Sequence, residues 1–356
     1  MTYTNRRQVL QSMMVASATV ALPLSKARSA TSLTAVEWGP PYIDATKKVC
    51  ENWTKSGLIW ELHKGGAATI LAKIRATWPH VPYDLVDAYP PVFTSMAREK
   101  WHVPLSVETV PNLAYVPEAL ITKDEAGRWV SAPRNVNYNL FAYRKDTSPI
   151  EIKSIRDLYD PRLKGQIAWP NAASYAGLWV VVLALANGGD EHDVEPGWKA
   201  LRELAKTGNI GRIVSQNSEL INSFNLGETS VTFADTASLT GVGKHFPMQF
   251  LSKTDESLKV FPAAEGWCVL ASSNNQQEAL ELVNFLISPD HSTTLCEMVN
   301  LVPASTRAKT PTQLSAVAFS PEELKKYVYA PDWGYLSTQL PSWVQRFEAD
   351  IIPLIK

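Results

Sequence analysis

Apolar positions recur along this chain with two alternating periods. Leu33–Trp38, Leu58–Leu62, Tyr83–Asp87, Leu163–Trp169 and Glu228–Phe233 read as short strands bounded by Gly, Pro, Asn and Asp. Helical spacing fills the intervals. Asp44 starts a helix with Ala45, Val49 and Trp53 inward, and Gly57 closes it. Lys64-Gly65-Gly66 opens another, with Ile70, Leu71 and Ile74 on its inner face, while Pro90-Pro91 reads as a turn. Further on, Tyr175–Ala186 is a buried helix, and Trp198–Lys206 turns Leu201, Leu204 and Ala205 inward. Gln277–Ile287 sets Ala279, Leu282, Val283 and Leu286 in one stripe, and Ser288-Pro289 starts the next helix. Strands separated by such helices predict right-handed βαβ units around parallel sheet. Ligands in such sheets sit beyond the carboxyl ends of the strands, here Trp38, Lys64 to Gly66 and Ala88-Tyr89. Gly65-Gly66 precedes a helix, so it serves either as a plain turn or as an anion cradle of backbone N–H groups.

The first thirty residues break this pattern. Arg6-Arg7 precede an apolar or small run from Met13 to Leu24, and Ser25-Lys26-Ala27 and Ala27-Arg28-Ser29 offer cleavage sites. Residues 1–30 therefore read as an export signal of twin-arginine type, with a general secretory signal as the alternative, and either places the mature protein in the periplasm. No later stretch reaches the ~18 unbroken apolar residues of a membrane span.

Composition narrows the function classes. The 356 residues carry 34 Lys and Arg against 35 Asp and Glu, a near-neutral balance that removes the basic footprint of a nucleic-acid binder. Length fits about two domains. Cys50, Cys268 and Cys296 fit no disulfide framework or metal site and read as buried free thiols, and the six His have no ligand spacing. An exported enzyme is the competing class, but GxGxxG, CxxCH, HExxH and GxSxG are all absent, and no cofactor is expected.

The order of phrases resembles a known family. Asp84-Leu85-Val86-Asp87, then Lys100 to Leu105 and Val110-Pro111-Asn112, is similar to the first lobe of periplasmic solute-binding proteins of ABC importers. Ser154 to Ile167 resembles the phrase opening the second lobe in the polyamine, ferric-iron, thiamine and phosphonate group, and Ala279 to Asp290 resembles its late helix pair. The resemblance implies a type II periplasmic binding fold, α/β, with two lobes of mostly parallel sheet joined by a two-strand hinge. It implies lobe 1 over residues 31–140 and 258–310, lobe 2 over 141–257, and C-terminal helices over 311–356 packing on lobe 2. It further implies a monomer that captures a small-molecule ligand and delivers it to ABC permease subunits; service to a chemoreceptor is the variant reading.

Several residues bear on the ligand. Trp38 and Tyr42 match an aromatic pair that flanks the polyamine in relatives. Polyamine relatives show Trp-x-Asp at the second crossover, whereas this chain has Glu265-Gly266-Trp267, and Asn171 to Ser174 replaces an acidic loop. No Tyr-Tyr pair is present for iron. Arg134, at the run into the hinge, is expected to face an open wet cleft and hold an anionic group, and Asp235, at a strand end, to hold an amine. Together they predict a zwitterionic solute, amino-acid-derived, opine-like or an aminophosphonate, with Tyr89, Tyr175 and Trp267 as walls. The alternative is a polyamine held by the aromatic pair and Glu265.

Overall fold

The computed structural model describes residues 32–63, 67–255 and 258–355. The expected export signal and the Gly65-Gly66 turn lie outside the described residues. The first lobe begins β1 (Ser32–Glu37), α1 (Tyr42–Val49), β2 (Gly57–Leu62), α2 (Ala67–Thr77), β3 (Leu85–Ala88) and α3 (Pro90–Arg98). A long crossing strand, β4 (Ala132–Arg144), leads to β5 (Ile167–Pro170), α4 (Leu178–Ala186), α5 (Glu195–Thr207), β6 (Ile210–Val214), α6 (Asn217–Asn225), β7 (Val231–Asp235), α7 (Thr236–Gly243) and β8 (Met248–Phe250). The chain returns through β9 (Phe261–Val269), α8 (Gln276–Leu286), α9 (Pro289–Val299) and β10 (Val302–Pro303), and closes with α10 (Pro321–Tyr327) and α11 (Trp333–Asp350).

One sheet path runs β2-β1-β3-β9-β4-β7-β5-β6. Within each lobe the pairs are parallel, β1 with β2 and β3, and β5 with β6 and β7, whereas β4 and β9 run antiparallel to each other and to their neighbours. Strand alternation feeds a core on each face: Leu33 and Ala35 enter one cluster with α8, and Val36 and Val86 another with Ile70, Ile74 and Phe93. The second lobe packs Trp169, Trp179 and Trp198 with Phe233, and Leu336, Trp343 and Phe347 of α11. The three Cys are free and buried, as their apolar neighbourhoods require.

Three expectations need correction. The first helix ends at Val49, with a 3-10 turn at Cys50–Asn52, so Trp53 packs from beyond it and Gly57 opens β2. Pro90-Pro91 starts α3, because the fixed proline φ suits a first helical turn and Tyr89 supplies an extended N-cap. The buried helix starts at Leu178 because Tyr175, Ala176 and Gly177 all have left-handed φ. Gly177 has a second constraint, since a Cβ there would collide with the Trp343 ring. In the C-terminal segment, Leu314 and Val317 join the cluster that holds Leu33 and Ala35, whereas Leu336, Trp343 and Phe347 join the one that holds Trp169.

Candidate functional site: the strand ends around the crossing strands

The carboxyl ends of β1 and β3 on one side, and of β5 and β7 on the other, approach the two crossing strands. Register fixes this: Ala88 pairs with Gly266, Asn135 with Glu265, and Asn139 with Asp235. A Cβ at position 266 would strike the Ala132 carbonyl, so glycine allows β9 to lie close to β4 there. Asn135, Asn137 and Asn139 fall at alternate positions of β4 and carry polar groups on one face.

Arg134 is the centre of the first-lobe side, and its role differs from the expectation. A register shift between Pro133 and Asn135 re-aims its side chain, which is 1% exposed. Nε donates to Asn135 Oδ1 at 3.0 Å. Nη1 donates to Glu37 Oε2 at 2.7 Å and Thr46 Oγ1 at 3.2 Å, and Nη2 donates to Glu37 Oε1 at 3.2 Å and lies 2.5 Å from Asp87 Oδ2. Thr46 Oγ1 also donates to Glu37 Oε2 at 2.6 Å. All three guanidinium nitrogens are therefore occupied inside the protein. The expectation that Arg134 anchors a ligand anion in an open cleft is corrected: its charge neutralises buried carboxylates, which a lone desolvated ion requires.

The acids outnumber this one cation. Burial works to raise the Glu37 carboxyl, but Arg134 and its hydrogen bonds outweigh that and hold it below the ordinary value. Asp87 goes the other way. Burial pushes it well up against the pull of Arg134, and neither of its oxygens has a well-aligned hydrogen-bond donor. Glu265 accepts from Asn135 Nδ2 at 3.0 Å, yet burial still raises its pKa, with Asp235 and Glu37 adding repulsion.

Aromatic rings flank these acids. Trp38 stacks on His63 with centroids 3.9 Å apart and on Tyr89 at 6.0 Å. His63 Nε2 lies 2.6 Å from the Asp87 carbonyl oxygen, while Trp38 Nε1 and His63 Nδ1 are buried without a partner. Tyr42 lies over Arg134, and burial followed by the Glu265 charge raises its phenol. Burial and Glu265 do the same to Tyr89. Trp267 departs from expectation: it is 0% exposed, packed in the first core near Trp60, and is no cleft wall because β9 turns it toward the buried side of the sheet.

The second-lobe side is arranged locally. Asn171 Oδ1 accepts from Ala173 N, Ser174 N and Ser174 Oγ, each at 3.0 Å, which closes the strand-end loop on itself. Asp235 caps α7, accepting from Ser238 N at 2.9 Å and Ser238 Oγ at 2.5 Å, and Asn137 Nδ2 donates to it at 3.2 Å. Tyr175 packs on Phe233 at 5.9 Å; burial and the Asp235 charge raise its phenol. Trp38, Tyr42, Tyr89 and Glu265 thus gather with Arg134 on one side, and Asn171, Ser174, Tyr175 and Asp235 on the other. Sequence reasoning missed Glu37, Asp87, His63, Asn135 and Asn137. The usable signal was an acid in the last two positions of each of two buried strands. Among the described residues, no group of three His, Cys, Asp or Glu is arranged for a metal ion.

This two-lobed α/β fold with polar strand ends meeting at a two-strand crossover is the type II periplasmic binding architecture. A family model described as bacterial extracellular solute-binding protein matches residues 61–322, and the chain belongs to that family. It is therefore a binding protein of solute transport and not an enzyme. Among solved structures, an ABC transporter protein from Clostridium perfringens matches with TM-score 0.75 and 19% identity, over 90% of this chain and 99% of that one. The spermidine/putrescine ABC transporter substrate-binding protein PotD from Streptococcus pneumoniae matches at 0.68 and 14%, over 88% and 99%. Iron-bound HitA from Pseudomonas aeruginosa matches at 0.66 and 19%, over 88% and 98%. Comparison with curated proteins found no match. No helix among the described residues is long and apolar enough to cross a membrane.

Proposed function

We propose that this chain is the periplasmic substrate-binding component of an ABC importer and that its solute is a small organic amine carrying positive charge. The observation that carries this reading is the charge balance at the strand ends. Glu37, Asp87 and Glu265 gather around a single guanidinium whose nitrogens are all occupied, and the Asp235 charge acts on Glu265 from the second-lobe side, so the site holds anionic capacity that an ammonium group would satisfy. The Trp38, Tyr42 and Tyr89 rings flank these acids, Trp38 stacked on His63 and Tyr42 under Arg134, and would wall the carbon chain of such an amine. With Arg134 engaged, a carboxylate or phosphonate lacks its expected partner, and the amine reading replaces the zwitterionic one. The structurally similar pneumococcal protein, a spermidine/putrescine ABC transporter substrate-binding protein, is in keeping with this chemistry. Capture works by closure of the two lobes about β4 and β9, near the Asn139–Phe261 pair. The closed form is the one a permease engages, and the protein acts as a monomer after twin-arginine export.

Thermal unfolding of the mature protein against putrescine, spermidine, neutral amino acids, opines, aminophosphonates and ferric iron tests the reading. An amine should raise the melting temperature, since a ligand stabilises only the folded form, and should lower the radius of gyration. Stabilisation confined to anionic solutes would overturn it.

A further inference from the structure

His63 was not among the residues expected at the site, yet the structure gives it an unusual hydrogen-bonding position. It follows β2 at the carboxyl end of the first-lobe sheet, stacked on Trp38 with an interplanar angle of 15°. Nε2 lies 2.6 Å from the Asp87 carbonyl oxygen. A carbonyl only accepts, so Nε2 carries the proton and the neutral ring leaves Nδ1 as a bare acceptor. That Nδ1 is buried and has no partner. A buried acceptor without a donor costs free energy, which a ligand donor at that atom would recover. Burial also lowers the pKa of the ring, which keeps the acceptor available.

We propose that His63 Nδ1 accepts an N–H from the solute's ammonium group, so that the site selects primary and secondary amines over fully methylated ones. This rests on the amine reading above and deepens it. Charge and aromatic faces alone do not discriminate, because a quaternary ammonium satisfies carboxylates and ring faces without any N–H. Only a directed acceptor separates the two classes. The stack on Trp38 and the bond to the Asp87 carbonyl hold the ring in place, so the acceptor is preorganised.

The experiment is calorimetric titration with putrescine and with its N-permethylated bis-quaternary analogue, on wild type, His63→Phe and His63→Gln. Wild type should prefer putrescine by tenfold or more. His63→Phe keeps a stacking ring but has no acceptor, so the preference should collapse, with the analogue's affinity changed less than threefold. His63→Gln, whose amide can both donate and accept, should restore part of it. Unfolding curves establish that each variant is folded. Equal wild-type affinity for the two probes, or a preference that survives His63→Phe, overturns the role of His63 while leaving the amine reading intact. Binding of neither probe overturns both.

Discussion

At the first-lobe strand ends, side chains remote in sequence converge: Arg134 meets Glu37 and Asp87, and Asn135 links Arg134 to Glu265 across the crossing strands. At the second-lobe ends the bonds are mostly local. Asn171 bonds two and three residues on, and Asp235 caps its own helix, with Asn137 reaching it from the crossing strand. The first arrangement leaves raised carboxyls and an unpartnered His63 Nδ1, whereas the oxygens of Asn171 and Asp235 already have donors. Incomplete satisfaction is where binding free energy is available, because a buried polar group without its partner is costly until something supplies one. On the proposed function, the first lobe would therefore carry the chemical selectivity, with the second lobe offering a self-bonded wall opposite it.

The largest expected effect comes from removing the centre of the first side. Arg134→Ala leaves Glu37 and Asp87 buried without their cation, so unfolding free energy in denaturant should drop by about 3–5 kcal/mol. This reverses what an open-cleft arginine would give, namely lost affinity with an unchanged fold. Arg134→Lys should recover only part, since one ammonium cannot span Glu37, Thr46, Asn135 and Asp87 together. A variant as stable as wild type would sink the ion-cluster account.

Glu265→Gln should separate binding from stability. The amide oxygen still accepts from Asn135, and removing a buried carboxyl relieves repulsion from Asp235 and Glu37, so stability should hold or rise slightly. Amine affinity should fall by roughly tenfold to a hundredfold, the loss of one charge-assisted bond of about 1.5–3 kcal/mol. Calorimetry on the folded variant reads it.

Proton linkage sharpens the same contrast. Asp87 and Glu265 have pKa values raised above 3.8 and 4.5, so over the window above those values the folded form holds protons that the unfolded chain has released. Their contribution to ligand-free stability is therefore present at low pH and lost as pH rises through the raised values. Glu37, shifted down, contributes in the opposite sense, gaining above its ordinary 4.5 and losing only in stronger acid. Amine affinity should strengthen as pH rises, because the bound cation favours the ionised carboxyl. Denaturant unfolding of wild type and Glu265→Gln across pH 4–8 checks this; a variant with the same slope as wild type would remove Glu265 from the linkage.

The smallest effect belongs to the second lobe. Asn171→Ala removes the loop-closing acceptor and should cost about 1 kcal/mol of stability. Amine affinity should change less than threefold. A larger affinity loss would show that the two sides share the ligand more evenly than the bonding pattern implies.

Much of the fold was legible because burial writes itself into period. Val36, Val86 and the stripe Ala279, Leu282, Val283 and Leu286 all lie where the pattern puts them. The crossing strand β4 was harder: Asn135, Asn137 and Asn139 interrupt its apolar run, and only the resemblance marked it as a hinge. The left-handed turn at Tyr175 and Ala176 was invisible because neither residue favours positive φ, and tertiary packing against α11 imposes it. Among the candidate residues, Trp38, Tyr42, Tyr89 and Glu265 were singled out by strand ends and family phrases, and the structure places them near Arg134. Arg134 was placed correctly in sequence but misread in role, because its partners lie 97 positions away at Glu37 and, through Asp87, on a third strand. No local pattern reveals which acids a guanidinium will meet.

The central claim is that the site takes a cation because Arg134 already serves the protein. Titration of putrescine into the wild-type protein, in two buffers of different ionisation heat at one pH, tests it most directly. The account predicts binding accompanied by proton release, with both weakened in Glu265→Gln. Tight binding of an anionic amino-acid derivative, abolished by Arg134→Lys in a protein of unchanged stability while putrescine gives no heat, would contradict it.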